Sequence, residues 1–162
     1  MTDAGQDKDA EFAEYFSARA AQLRRVAYAL CGDWHLAEDL VQHTFVQLYR
    51  HWRRIQPATL DAYTRRTLLN AYLSNKRVSK RERIVADVPD HPGAEPSAGP
   101  ETDVLALLAQ LPPRQRAVIV LRHLEDLPIA EVAELVGMSE GSVKSQSSRG
   151  LAMLRSWLVK EA

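Results

Sequence analysis

"GMSEGSVKSQSSRGLAMLR", residues 137–155, opens on a glycine and a serine and turns apolar only toward its end. Its spacing predicts a helix over 139–159, capped by Ser139, whose early turns are filled with Ser, Lys, Gln and Arg. A helix built only for packing gains nothing from such a start. If Val143, Ser147, Gly150, Leu151 and Leu154 face inward, then Ser142, Lys144, Ser145, Ser148 and Arg149 face outward, with Glu140 and Gln146 at the margin. Small outward side chains let the start of a helix sit deep in a major groove. Lys and Arg then meet phosphates or guanine edges, and Ser or Gln bond to bases or backbone.

The residues just before fit that reading. A short helix is expected over 129–136, with Pro128 at its start and Gly137 closing it. Short helix, glycine turn and longer helix make a helix-turn-helix, with Val132, Ala133, Val136, Val143, Leu151 and Leu154 as its small core. Ala133 and Gly141 are expected to let the two helices cross closely. Further upstream, an apolar helix over 101–110 is broken by "LPP", and Pro113 starts another over 114–124.

The N-terminal part also reads as helices. Over 11–30, Phe12, Tyr15, Phe16, Leu23, Val26, Ala27 and Leu30 recur at helical spacing. "CGD" at 31–33 ends that helix and caps a second over 34–52. A third begins at Thr59 or Asp61 and is expected to run to about Arg83. The stretch 87–103 holds four prolines and two glycines, with Val88 its one large apolar residue, so it reads as a flexible linker. The expectation is an all-α chain: a helical domain over 1–83, an acidic linker over 84–101, and a helix-turn-helix domain over 102–162. Residues 84–102 reach at most about 63 Å when extended and about 25 Å as a coil. The linker is therefore long enough to let the two domains sit apart from each other.

Net charge is zero, so bulk basicity points to no partner, but its distribution does. Residues 50–83 hold ten Lys and Arg against Asp61 and Glu82, and 84–103 hold five acids with no base. Residues 142–160 hold four bases and no acid. Two basic patches around an acidic connector suit a chain that touches a polyanion twice. No apolar run approaches the roughly 18 residues of a membrane span, and the polar N-terminus does not read as a signal peptide. The single Cys31 suits a reducing, cytoplasmic setting and a buried packing role. Glycine-rich phosphate loops, "HExxH", "GxSxG" and CxxC pairs are all missing, which argues against an enzyme with a small-molecule substrate. Cys31, His35, His43 and His51 are spaced too loosely for a zinc site, so neither metal nor cofactor is expected.

Three longer stretches carry a resemblance: "AEDLVQHTFVQLYRHW" at 37–52, "DAYTRRTLLNAYLS" at 61–74, and 111–155 from "LPPRQRAVIVLRHLEDLP" through the opening motif. In order and spacing they resemble a group IV sigma-70 factor of the extracytoplasmic-function (ECF) type, in the style of actinobacterial members. The resemblance covers about 11–83 and 101–158. It implies a dissociable subunit that binds core RNA polymerase, reads the −10 and −35 promoter elements and promotes opening of promoter DNA. An anti-sigma factor is a further implied partner.

Residue by residue, the resemblance places Asp39, Gln42, Phe45 and Leu48 at the polymerase contact, although Phe45 and Leu48 also suit a core. It assigns the −10 element to the loop with Arg54 and Ile55 and to Tyr63, Arg65, Arg66, Asn70, Lys76 and Arg77. Asn70 matches the family asparagine within "TLLN", whereas Thr67 and Leu68 depart from the usual "IA" and His43 replaces a usual acid. The −35 element falls to Arg114, Arg116, Ser139, Glu140, Ser142, Lys144, Ser145, Ser148 and Arg149. Leu111, Val118 and Leu121 are expected on an outer apolar surface that meets the polymerase flap. The competing reading is a helix-turn-helix regulator that binds DNA without becoming a polymerase subunit. It accounts for 111–155 but not for 37–52 followed by a basic third helix.

Overall fold

Helix α1 (Asp3–Cys31) stops where Gly32 turns left-handed at φ 70, its N–H bonded to the Tyr28 carbonyl at 2.7 Å. The computed structural model describes residues 3–75 and 100–161, so Lys76, Arg77 and the linker up to residue 99 lie outside the described residues. Asp33 opens α2 (Trp34–Arg50), its carboxylate accepting from the N–H groups of His35 and Leu36 at 2.8 and 3.3 Å. Two 3₁₀ turns, Trp52–Arg54 and Pro57–Thr59, lead into α3 (Leu60–Ser74). That helix ends well before Arg83, because Asn75 is extended and its N–H turns back to the Tyr72 carbonyl. Leu23, Val26, Ala27 and Leu30 of α1 bury against Leu36, Leu40, Val41, Phe45 and Leu48 of α2 and Leu68, Leu69 and Tyr72 of α3.

The C-terminal part holds α4 (Pro100–Leu108), α5 (Pro113–Ile119), α6 (Ile129–Val136) and α7 (Glu140–Glu161). The helix expected over 114–124 loses its α register after Ile119 and widens into π turns over Val120–Leu124. Gly137 closes α6 at φ 69, a conformation that costs any residue with a Cβ. Ser139 caps α7, accepting the Ser142 N–H at 3.1 Å. Gly141 makes no close approach to α6; the tight crossing of α7 is with α5, at Gly150. A Cβ on Gly150 would stand 2.9 Å from two Ile119 side-chain carbons, whereas one on Gly141 would meet nothing nearer than 4.0 Å.

The two parts do not stand apart. Arg116, 1% exposed, donates to the Leu30 carbonyl at 2.6 Å and to the carbonyls of Leu111, at 3.1 Å, and Ala109. The Tyr72 hydroxyl reaches the Pro113 carbonyl at 3.5 Å. Leu111, Val118 and Leu121, expected on an outer face, are buried in the same core as Leu30. Linker length limits how far two domains can separate; apolar surface left on each decides whether they do.

Candidate nucleic-acid and polymerase interfaces

On α7 the two faces separate as the spacing requires. Val143, Gly150 and Leu154 are buried and Leu151 is half-buried, while Glu140, Ser142, Lys144, Ser145, Ser148 and Arg149 are exposed. Ser139 and Ser142 are joined hydroxyl to hydroxyl at 3.0 Å, so part of the serine content builds the cap. Ser147 lies 3.4 Å from His123 Nε2 and ties α7 to the π turns that follow α5. Arg114 is exposed at the start of α5. Arg116 is not: its guanidinium is enclosed and bonded to three carbonyls, which corrects the expectation of a DNA contact.

The candidate −10 residues sit on α3 and the turns before it. Tyr63, Arg66 and Asn70 share one face of α3 at helical spacing; Asn70 is exposed and Tyr63 half-buried. Arg65 borders the buried seam. Both arginines are engaged, Arg65 with Glu131 at 3.3 Å and Arg66 with Glu134 at 3.0 Å. Arg54 is exposed. Ile55 lines a cleft together with Tyr15, Trp52, Arg53, Pro57 and Leu60, whose rim carries Lys8, Asp7, Glu11 and Glu14. Tyr15 organises the cleft's inner wall. Its hydroxyl donates to Asp61 at 3.0 Å and lies 2.9 Å from the Thr64 hydroxyl, while Arg19 pairs with Asp61. Burial, with the Asp61 carboxylate beside it, holds the Tyr15 hydroxyl above its ordinary pKa, so it stays a neutral donor. Arg53 belongs to the basic run at 50–54, and Trp52 stands at the end of the second helix expected over 34–52.

Of the four residues expected at the polymerase contact, Asp39 and Gln42 are exposed on α2. Leu48 is fully buried and Phe45 nearly so, because positions 41, 44, 45 and 48 form the face of α2 turned to the core. Phe45 packs on Phe12 and Phe16 at ring distances of 6.1 and 4.6 Å and forms the floor of a shallow groove. Its walls are Phe16, Gln42, Val46 and Tyr49, and Val46 is 53% exposed. Val46 and Tyr49 follow Gln42 at four and seven positions, on the same strip of helix.

Residues 15–82 match the family described as "Sigma-70 region 2", and residues 101–154 match "Sigma-70, region 4". The RNA polymerase sigma-E factor of Streptomyces coelicolor is 37% identical over 92% of this chain and 86% of its own length. The chain belongs to the sigma-70 family. Within it the relatives are of the ECF type. The ECF RNA polymerase sigma factor SigE of Mycolicibacterium smegmatis is 34% identical over 92% of this chain, which spans 62% of that relative's length. Among solved structures, the sigma factor RpoE of Bartonella quintana, in complex with the anti-sigma factor NepR, superposes with a TM-score of 0.71 at 25% identity. The match covers 91% of this chain and 96% of that one. This ECF sigma factor is thus all-α, with a region 2 followed by a region 4, and the regulator reading that leaves polymerase out is not favoured. No helix among the described residues is long and apolar enough to cross a membrane.

Proposed function

We propose that this sigma factor, which is not an enzyme, acts in the cytoplasm as a dissociable promoter-reading subunit. It joins core RNA polymerase through the α2 strip of Asp39, Gln42, Val46 and Tyr49, with the aromatic groove as its apolar part. The start of α7 enters the −35 major groove. Lys144 and Arg149 meet phosphates or guanine edges there, Ser145 and Ser148 lie against the bases, and Arg114 adds a phosphate contact. The face of α3 with Tyr63, Arg66 and Asn70, with Arg54 and the cleft beside Ile55, takes the non-template strand of the −10 element. Cations hold its backbone there, and an amide and aromatics hold an unstacked base. An anti-sigma factor is the expected regulator.

The observation that carries this reading is the division of α7. Every outward residue expected at the groove is exposed, behind a left-handed Gly137 turn and over a buried apolar stripe. The test mixes the purified protein with core RNA polymerase and follows co-elution and run-off transcription from a mixed genomic template. Specific transcripts that require the protein are expected, and their start sites locate both promoter elements. DNA binding without co-elution overturns the reading in favour of a free-standing regulator.

A further inference from the structure

Tyr15 touches both walls of the cleft beside Ile55. Its ring lies 5.7 Å from that of Trp52, which Phe12 braces edge-on at 5.4 Å. Its hydroxyl turns the other way, to the first turns of α3. There it donates to Asp61 at 3.0 Å and lies 2.9 Å from the Thr64 hydroxyl, which bonds the Leu60 carbonyl at 2.8 Å. Leu60 follows directly on the Pro57–Thr59 turn, and its N–H bonds the Pro57 carbonyl. Whatever holds Asp61 and Thr64 therefore also holds Pro57 and Leu60. Trp52 and Ile55 line one side of the cleft and Pro57 and Leu60 the other. One side chain of α1 thus sets the spacing between the two.

The protons of this small network can be counted. The Asp61 carboxylate, paired with Arg19, is the strongest acceptor and takes the Tyr15 proton. The Thr64 proton is left to the Leu60 carbonyl or to the Tyr15 oxygen. Phenylalanine at position 15 would keep the ring against Trp52 and lose every bond to α3. Thr64 would still bond Leu60, and Asp61 would still meet Arg19 at the partly exposed surface, so no buried group is orphaned and the fold loses little. The hydroxyl is better placed to set a geometry than to hold up a core.

We propose that the Tyr15 hydroxyl is a positioning group for −10 recognition: through Asp61 and Thr64 it fixes the gap between Trp52 and the start of α3, into which an unstacked base of the non-template strand inserts. The proposal rests on the reading of this cleft as part of the −10 site. Asp7, Glu11 and Glu14 outnumber Lys8 and Arg53 around the cleft, so it suits a base better than a phosphate. A base gains from stacking when the rings that meet it are already held in place. A gap that is free to widen loses that geometry.

The test uses the full chain in holoenzyme with core RNA polymerase, on a promoter located by its run-off transcripts. Each non-template nucleotide of the −10 element is replaced in turn by an abasic one, and open-complex yield is read with permanganate. Wild type is expected to lose about tenfold at one position, the scale of one stacked base. Tyr15→Phe is expected to lose about threefold to tenfold on the intact promoter, the scale of one hydrogen bond. When that same nucleotide is abasic, the variant should lose no more than about twofold further. Asp61→Ala removes the same bond from its other end and is expected to show the same lost sensitivity. A merely structural hydroxyl would lower both templates alike, so full and independent losses in Tyr15→Phe overturn the proposal. Wild-type opening of the intact promoter by Tyr15→Phe overturns it too. So does loss of co-elution with core polymerase in that variant, because the hydroxyl then serves the fold of the first three helices. If no abasic position lowers opening by wild type, the −10 reading of the cleft itself is refuted, an outcome visible without any variant.

Discussion

Arg116 reaches from the start of α5 to the Leu30 carbonyl at the end of α1, a 2.6 Å hydrogen bond between residues 86 positions apart. The same guanidinium holds the carbonyls of Ala109 and Leu111, so one side chain ties α1, the α4 end and α5 together. Arg116→Ala leaves buried carbonyls without their donor and opens a cavity, and is expected to cost about 3 kcal/mol. Arg116→Lys restores little, since a single ammonium cannot span the three acceptors. Urea unfolding of both variants checks this. A loss below about 0.5 kcal/mol in Arg116→Ala contradicts the strut role.

Gly150→Ala sets two effects against each other. Alanine favours an α-helix by about 1 kcal/mol over glycine. Its Cβ, however, would stand 2.9 Å from Ile119 in a packed seam, and overpacking costs about 1–3 kcal/mol. Net destabilisation is expected, partly relieved by Ile119→Val, which trims one of the two crowded carbons. Thermal melts of the single and double variants decide it: a stabilised Gly150→Ala shows that the seam yields freely.

Replacing Lys144 and Arg149 by Ala is expected to weaken binding to a −35 duplex in the polymerase holoenzyme. The dependence of log affinity on log salt should shrink by about 1.8, near 0.9 for each phosphate left without its cation. An unchanged slope places that face of α7 off the DNA backbone.

Asn70→Ala is expected to leave co-elution with core polymerase intact while lowering open-complex yield at least about tenfold, the cost of removing one base-reading pair. Permanganate footprinting of the melted strand reads the outcome, and full opening in the variant removes Asn70 from the −10 site.

Burial pushes the Cys31 thiol above its ordinary value of 9.0, against a smaller lowering from its bond to the Asp33 carbonyl. The folded state therefore favours the neutral thiol. Its contribution to stability is complete below about pH 9 and declines as pH rises through the raised folded value. Tyr15, also raised, adds a second decline above about pH 10. Unfolding free energy should be level near neutrality and fall in alkali, and Cys31→Ala should remove the earlier part of that fall.

Much of this was written in the order of residues. Asp33 after Gly32 marks an end and a start, Gly137 marks a turn, and the period of Val143, Gly150 and Leu154 separates the two faces of α7. Such features depend on a few neighbouring residues and on backbone preferences that act locally. Leu48 on α2 was ambiguous for the opposite reason. An apolar position at helical spacing tells which side is greasy, and not whether core or partner covers it.

What the order of residues determined alone was the set of helices, the helix-turn-helix and the polar outward face of α7. Tertiary structure alone decided where the spare surfaces went. Leu111, Val118 and Leu121 went to a shared core, Arg116 to a buried strut, and Arg65 and Arg66 to Glu131 and Glu134. Local propensity acts over one or two turns of helix. Burial and charge pairing are settled between residues that lie far apart in the chain, up to 86 positions for Arg116 and Leu30, by whichever complementary surface the fold brings within reach.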